Sequence, residues 1–377
     1  MKQCWLLLLI FVCAHGAPTD SVKPGSCEDP DGLGATEEAL TQINQDREEG
    51  YIFSLHRLSN VNQMKHGPSG MVYYLTLDVL ETKCHVLSKR NWSSCEVRQT
   101  HETPVYGQCK ATIYIDKVQK VDHLYTYSCS VRPAPGYKIV RLCPDCPSKI
   151  PVDGEKVRQT VQLSLEKYNS ESGQANYFAL LNITRASFQG GFGMFYFAEF
   201  TIQETVCANT TDIAEASKCA LMDCKFAHKG FCKGSHTLAQ GKEYISANCE
   251  IFEPEGDGTA CHQDRAPDLS PPSKRPRGDV RYFPAVARPV TPTSHPDEPM
   301  TIPSFPDDPA IAAGLGHPVT LPVFPDTEGP EGTGPIILPF PTDISPQCPS
   351  QPKSEQPFIK DLFSEDPLFH HAIDIVG

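Results

Sequence analysis

The tightest cysteine spacing in the 377-residue chain is Cys143-Pro144-Asp145-Cys146, followed at once by Pro147. Two thiols three positions apart can shuttle electrons, supply half of a zinc site, or bridge. A redox pair calls for a βαβ setting and a low-pKa thiol, and neither is visible around residue 143. A structural zinc site calls for a second Cys-x-x-Cys or a spaced His pair, and none accompanies it. A bridge would close a ring of four residues and contribute roughly 2 kcal/mol by the chain-entropy estimate. That is a weak staple for a domain but a good way to immobilise one side chain. Pro144 and Pro147 fix two more φ angles and remove two N–H donors. The bridged segment is then a rigid knuckle with Asp145 at its tip. A plain stiff linker between secreted domains fits the same residues, and the residues alone leave both readings open.

Other chemistry is thin. His101-Glu102-Thr103-Pro104 fails His-Glu-x-x-His, and Gly67-Pro68-Ser69-Gly70 is one residue short of Gly-x-Ser-x-Gly. No glycine-rich phosphate loop opens a helix, so the chain is not expected to be an enzyme or to need a cofactor. Net charge is −13, which speaks against nucleic acid and anionic membrane surfaces as partners. The one compact basic cluster, Lys274-Arg275-Pro276-Arg277, lies in a Pro-rich stretch and reads as a solvated or protease-sensitive linker.

Residues 1–16 read as a secretory signal: Lys2, then the short apolar run Leu6–Val12, then small residues, with cleavage between Ala14 and Ala17. No later stretch is apolar enough to span a bilayer. Sixteen cysteines lose Cys4 and Cys13 with the signal, and fourteen suit seven bridges in an oxidising compartment. Sequons at Asn91, Asn182 and Asn209 agree with secretion. The mature chain is expected to be extracellular, soluble and monomeric.

The elements that must position the knuckle repeat. Cys84, Cys95, Cys109 and Cys129 are echoed by Cys207, Cys219, Cys232 and Cys249, at offsets of 123, 124, 123 and 120 residues. Each half is of single-domain length. Thr36 can cap a helix that opens with Glu37-Glu38, turns Leu40 and Ile43 inward and ends at Gly50. Strands follow at 51–58 and 71–80. In the second half Val157, Val161, Leu165 and Tyr168 make one helical face, with strands at 177–183 and 195–202. One helix followed by antiparallel strands is an α+β unit with the helix across one sheet face. Most of the 35 prolines lie beyond residue 262, so 262–377 reads as an extended, mostly irregular region. Its segment Phe358-Ile359-Lys360-Asp361-Leu362-Phe363 reads as a short amphipathic turn without assigned function.

One helix, then a hairpin closed by a two-bridge cysteine block, resembles the cystatin fold. Cystatins that inhibit papain-like proteases carry Gln-x-Val-x-Gly on the first hairpin, fourteen residues before the first cysteine of the block. That frame lands here on Gln189-Gly190-Gly191-Phe192-Gly193 and on His66-Gly67-Pro68-Ser69-Gly70. The turns corresponding to the second inhibitory hairpin, Lys117–Lys120 and Ala239-Gln240-Gly241-Lys242, lack its Pro-Trp. The frame is kept and the contact residues are mostly lost.

Two cystatin-like domains before a Pro-rich tail resemble the fetuin family, and Cys143–Pro147 looks like the linker signature of one of its branches. The resemblance implies domains at 27–140 and 152–261 around a linker at 141–151. It implies bridges Cys84–Cys95, Cys109–Cys129, Cys143–Cys146, Cys207–Cys219 and Cys232–Cys249. It also implies a long closure, Cys27–Cys348, for which the entropy estimate exceeds about 4.5 kcal/mol. Cys224 and Cys261 remain as a pair. It further implies inhibition of astacin-family zinc metallopeptidases, including ovastacin and meprins. Asp145 would meet the target's zinc, the chain would bind no metal of its own, and Gln189–Gly193 and Ala239–Lys242 would flank the knuckle as secondary contacts and occupy the cleft on both sides. For ovastacin, inhibition keeps the egg coat penetrable and so supports fertilisation. Two other functions compete. A cystatin-type inhibitor of cysteine proteases is opposed by the degraded hairpins. A mineral-binding or carrier plasma glycoprotein needs an array of carboxylates on one strand face, and Asp78 and Glu81 lie three apart, on opposite faces.

Overall fold

The computed structural model describes residues 21–211, 218–223, 227–253, 277–288, 335–353 and 356–370. Two sheets, antiparallel apart from one added edge strand, are each crossed by one long helix, which gives the α+β tandem expected from the repeat. The first domain runs β1 (Lys23–Pro24), α1 (Pro30–Asp46), β2 (Tyr51–His66), β3 (Gly70–His85), β4 (Val105–Asp116) and β5 (Val121–Pro133). A linker helix α2 (Gly136–Leu142) leads to the knuckle. The second domain runs β6 (Ser148–Lys149), α3 (Glu155–Glu171), β7 (Asn176–Gln189), β8 (Gly193–Ala208), β9 (Lys229–Ala239) and β10 (Lys242–Phe252). From the C-terminal region come β11 (Gly278–Tyr282) and α4 (Pro357–Phe363).

The strand order is β1-β2-β3-β4-β5-β11 in the first sheet and β10-β9-β8-β7-β6 in the second. Strand pairing carries the cysteine blocks: Cys109 faces Cys129 across β4–β5, and Cys232 faces Cys249 across β9–β10. Both pairs are bridged, as are Cys84–Cys95, Cys207–Cys219, Cys143–Cys146 and Cys27–Cys348. The pairing of Cys224 with Cys261 lies outside the described residues.

Helix α1 starts earlier than Thr36. Asp29 caps it, accepting from the Asp31 amide, and Pro30 fills the first helical position. This is the ordinary Asp-Pro opening, hidden in the sequence by Gly32 and Gly34, which break the apolar periodicity. Thr36 instead sits inside the helix, its hydroxyl donating to the Gly32 carbonyl at 2.8 Å. Nor does Gly50 end the helix. The last helical residue is Asp46, and Gly50, at φ +82°, makes the turn into β2. Leu40 and Ile43 do point inward and are fully buried with Phe53, Leu75, Leu77 and Ala111, each worth about 1.5–3 kcal/mol of burial. In the second domain Val157 and Val161 pack with Phe178, Ala198, Phe200 and Ile202, and Leu165 and Tyr168 lie half-buried beside them.

Most of the described C-terminal region is irregular, but it is not free. Strand β11 adds in parallel to β5, covering one edge of the first sheet. Ser350 donates from its amide to the Leu58 carbonyl beside the Cys27–Cys348 bridge.

Candidate functional site

The knuckle is a closed turn set between two anchored ends. On its N-terminal side the Cys143 amide donates to the Ile139 carbonyl at 2.8 Å, completing α2. Within it the Cys146 amide donates to the Cys143 carbonyl at 3.1 Å, and the bridge holds the two Cα atoms 5.3 Å apart. Pro144 and Asp145 are exposed, whereas Cys143, Cys146 and Pro147 are half-buried. Among the described residues no hydrogen bond or ion pair engages the Asp145 carboxylate. Its backbone, not its charge, is tied down.

The second sheet explains what stands beside the knuckle. Ser148 and Lys149 pair with Phe188 and Ser187, so Pro147 lies at the same sheet end as the β7–β8 turn. Strand β9 runs back along β8, pairing Ala239 with Gly193, and also pairs Ala239 with Lys242. The order β6-β7-β8-β9-β10 therefore sets the knuckle, Gly190-Gly191-Phe192 and Gln240-Gly241 in a row along one end. The nine residues expected from the sequence to flank Asp145 share its end of the sheet, but both tips lie to one side of it, not one on each side, because β6 is the edge strand. A side-chain bond ties the row: the Gln189 amide donates to the Asp145 carbonyl at 2.7 Å. Gly193 allows close approach of β9, since a Cβ there would meet the Leu238 carbonyl oxygen at 2.8 Å. Gln240 and Gly241 both have positive φ, +51° and +73°, which is the tight I′ hairpin geometry. Phe192 is fully exposed at the glycine-rich tip, and Met194 is 45% exposed beside it. An aromatic ring held in water on a narrow tip is free to be buried by a partner surface. Replacing Phe192 with alanine should weaken binding of a partner that docks on this end by about tenfold and leave the melting temperature unchanged, checked by binding titration and thermal unfolding.

Glu81 apart, the domains meet through groups the sequence did not single out. Alternation along β7 and β8 sends Ala186, Ala198 and Phe200 to the α3 side, so Arg185 and Glu199 face the other way, toward the first domain. Arg98, only 1% exposed, makes a two-pronged bond to Glu199, at 3.1 and 2.8 Å. Arg185 pairs with the buried Glu81 at 2.6 Å and donates to the Thr103 carbonyl at 3.1 Å. The Tyr51 hydroxyl donates to Glu199 and lies 2.8 Å from the Thr184 hydroxyl. Burial alone would raise the Glu199 pKa, but Arg98, Arg185 and the Tyr51 hydroxyl hold it down to about 2. Beside them an interdomain cleft of about 570 Å³ opens between Glu81, Lys149, Leu181 and Tyr282. No local spacing marks these residues, because each partner lies on another domain.

His85 stacks on Phe231 across the same seam, with ring centroids 5.0 Å apart. Its Nδ1 accepts from the Leu87 amide, which fixes the neutral ring. Burial, with Arg47 nearby, lowers its pKa from 6.5 to about 4. The unfolded chain therefore takes up this proton first. The stability the neutral ring supports is complete above pH 6.5, falls as the pH drops, and levels off near 4. Urea unfolding at pH 7, 5 and 4 should show that decline, and His85→Gln should flatten it.

Asp78 and Glu81 are both buried, paired with Arg57 at 2.6 Å and with Arg185, so neither offers a carboxylate to mineral. Asn91, Asn182 and Asn209 are exposed. Among the described residues no cluster of three His, Cys, Asp or Glu side chains could hold a metal, and no helix is long and apolar enough to cross a membrane.

Comparison with known proteins supplies the lineage. The Cystatin domain family matches residues 24–118 and 145–237, one stretch in each half. Human fetuin-B is 37% identical over 306 residues, covering 74% of this chain and 78% of that protein. Mouse fetuin-B in complex with crayfish astacin superposes with a TM-score of 0.64 at 28% identity, covering 91% of this chain and 98% of the mouse chain. Mouse fetuin-B from the inhibitory complex with human meprin beta superposes with a TM-score of 0.66 at 28% identity, covering 89% and 99%. With a cystatin domain in each half and 37% identity to human fetuin-B over 74% of its length, this chain belongs to the fetuin-B family.

Proposed function

We propose that this chain is a secreted inhibitor of astacin-family zinc metallopeptidases, meprins and ovastacin among them, and that the knuckle is its inhibitory element. The observation that carries the reading is the alignment of an exposed, rigid Asp145 with two hairpin tips along one end of the second sheet. A relative at 28% identity is captured with crayfish astacin and, in an inhibitory complex, with human meprin beta.

A catalytic zinc keeps three protein ligands and one open position, normally filled by water. A carboxylate oxygen binds zinc at roughly 2.0–2.2 Å. Asp145, offered on a narrow ring, takes the water's place and removes the nucleophile that hydrolysis needs. The ring and its two prolines also make the segment a poor substrate. The tips at 190–192 and 240–241 fill the cleft to one side and exclude solvent from the new bond. Preorganisation lowers the entropy lost on docking. Blocking ovastacin would keep the egg coat from hardening before fertilisation.

Side-by-side titration tests the target class. The full chain should inhibit an astacin-family peptidase at stoichiometric concentration and leave papain active. Stoichiometric inhibition of papain, with the metallopeptidase unaffected, would move the function to the cystatin hairpins instead.

A further inference from the structure

Helix α4 is built into the base of the knuckle. Its residues Ile359, Leu362 and Phe363 are buried, and with Phe369 they pack against Leu80, Tyr106, Ala134 and Ile139. Ile139 belongs to α2, the helix that ends at Cys143, and Cys146 itself rests against the same cluster. Polar contacts reinforce the apolar ones. Arg132 and Asp366, 234 residues apart, form a buried ion pair at 3.0 Å. The Tyr137 hydroxyl donates to Glu365 at 2.8 Å, and the Lys138 ammonium donates to the Ser364 hydroxyl at 3.1 Å.

Helix α2 needs such support. It has seven residues, and Pro135 at its N-cap provides no side-chain hydrogen bond. A helix that short is not stable by itself in water. On the knuckle's other side, among the described residues, the ring is held by the two-residue strand β6, the bond from the Ile150 amide to the Ala186 carbonyl at 3.1 Å, and the Gln189 bond. With α2 frayed, the ring would swing about this one side, and Asp145 would lose its fixed position.

We infer that residues 356–370 are a positioning element of the inhibitor: they brace α2 and, through Cys146, the knuckle ring, so that Asp145 is held in place before a target docks. This rests on the reading that the knuckle inhibits. The Pro-rich region beyond residue 262 then has a defined task at its far end, carried by the amphipathic segment and held close by the Cys27–Cys348 bridge.

Leu362→Asp in the full chain tests it, because Leu362 is buried in α4 and lies outside the knuckle. Amide exchange in the free inhibitor should speed up at 356–370 and also at 136–147, with strands β7–β10 unchanged. The inhibition constant against crayfish astacin should rise about tenfold, the order expected when a docking element must be ordered on binding. Faster exchange at 356–370 with unchanged exchange at 136–147 and an unchanged inhibition constant would overturn the inference. If Leu362→Asp is not secreted, Phe369→Ala loosens the same cluster more gently and is read by the same two quantities. Exchange is measured without an enzyme, so a failure of the zinc reading leaves this result interpretable.

Discussion

Asp145→Ala is expected to weaken inhibition of an astacin-family peptidase by at least about a hundredfold, the loss of a central anchor worth roughly 2.7 kcal/mol or more. The fold should not change. Asp145 is exposed, and among the described residues its carboxylate makes no hydrogen bond or ion pair, so nothing is left unsatisfied by its removal. Melting temperature and far-UV circular dichroism should match those of the unsubstituted chain. Asp145→Asn is the sharper partner experiment. It keeps shape and volume but replaces an anionic ligand by a neutral amide, a poor match for zinc. The account expects Asn to fall close to Ala. Full inhibition by Asp145→Ala would leave only steric occlusion by the hairpins, and Phe192→Ala would then carry most of the loss.

The second large effect is on stability. Arg98→Met should cost about 3 kcal/mol, because it removes the two-pronged partner of the buried Glu199 and leaves its charge compensated in part, by Arg185 and the Tyr51 hydroxyl. The Arg98 guanidinium also lies 4.1 Å from the centre of the Tyr51 ring, so packing is lost along with charge. Denaturant unfolding reads the loss. Substituting both partners, Arg98→Met with Glu199→Leu, should recover much of it, since a well-packed apolar pair can replace a buried ion pair. The pH behaviour separates this network from His85. Glu199 has its folded pKa depressed to about 2 from 4.5, so its contribution is complete above 4.5 and lost only as the pH falls toward 2. Between pH 7 and 5 the network should hold while the His85 contribution declines. An Arg98→Met chain with unchanged stability would mean that the seam is held by packing around Phe231 alone.

Much of this was legible in the residues because it is local or periodic. Four cysteines at a near-constant offset mark the duplication. The Val157–Tyr168 face marks α3. The Cys-Pro-Asp-Cys-Pro spacing marks the knuckle, and counting fourteen residues back from Cys207 finds the Gly193 that lets β9 approach β8. What escaped is non-local or locally disguised. The start of α1 was obscured because Gly32 and Gly34 interrupt its apolar face. Arg98, Arg185 and Glu199 look like ordinary surface charges, and Glu81 like a strand-face carboxylate, until the two domains are set against each other. The tail helix shows an amphipathic pattern, but nothing in it names Ile139 and Tyr106 as partners more than two hundred residues earlier. The Gln189 bond to Asp145 joins two recognisable motifs, yet only the β6–β7 register brings them within reach.

The central claim is that the Asp145 carboxylate enters the coordination sphere of the target's zinc. Substituting cobalt(II) for zinc in an astacin-family peptidase makes that sphere visible in the absorption spectrum. Addition of one equivalent of the full chain should change the cobalt bands, and Asp145→Asn at saturating concentration should not reproduce that change. Complete inhibition by the unsubstituted chain with the cobalt bands unaltered would show that Asp145 never reaches the metal.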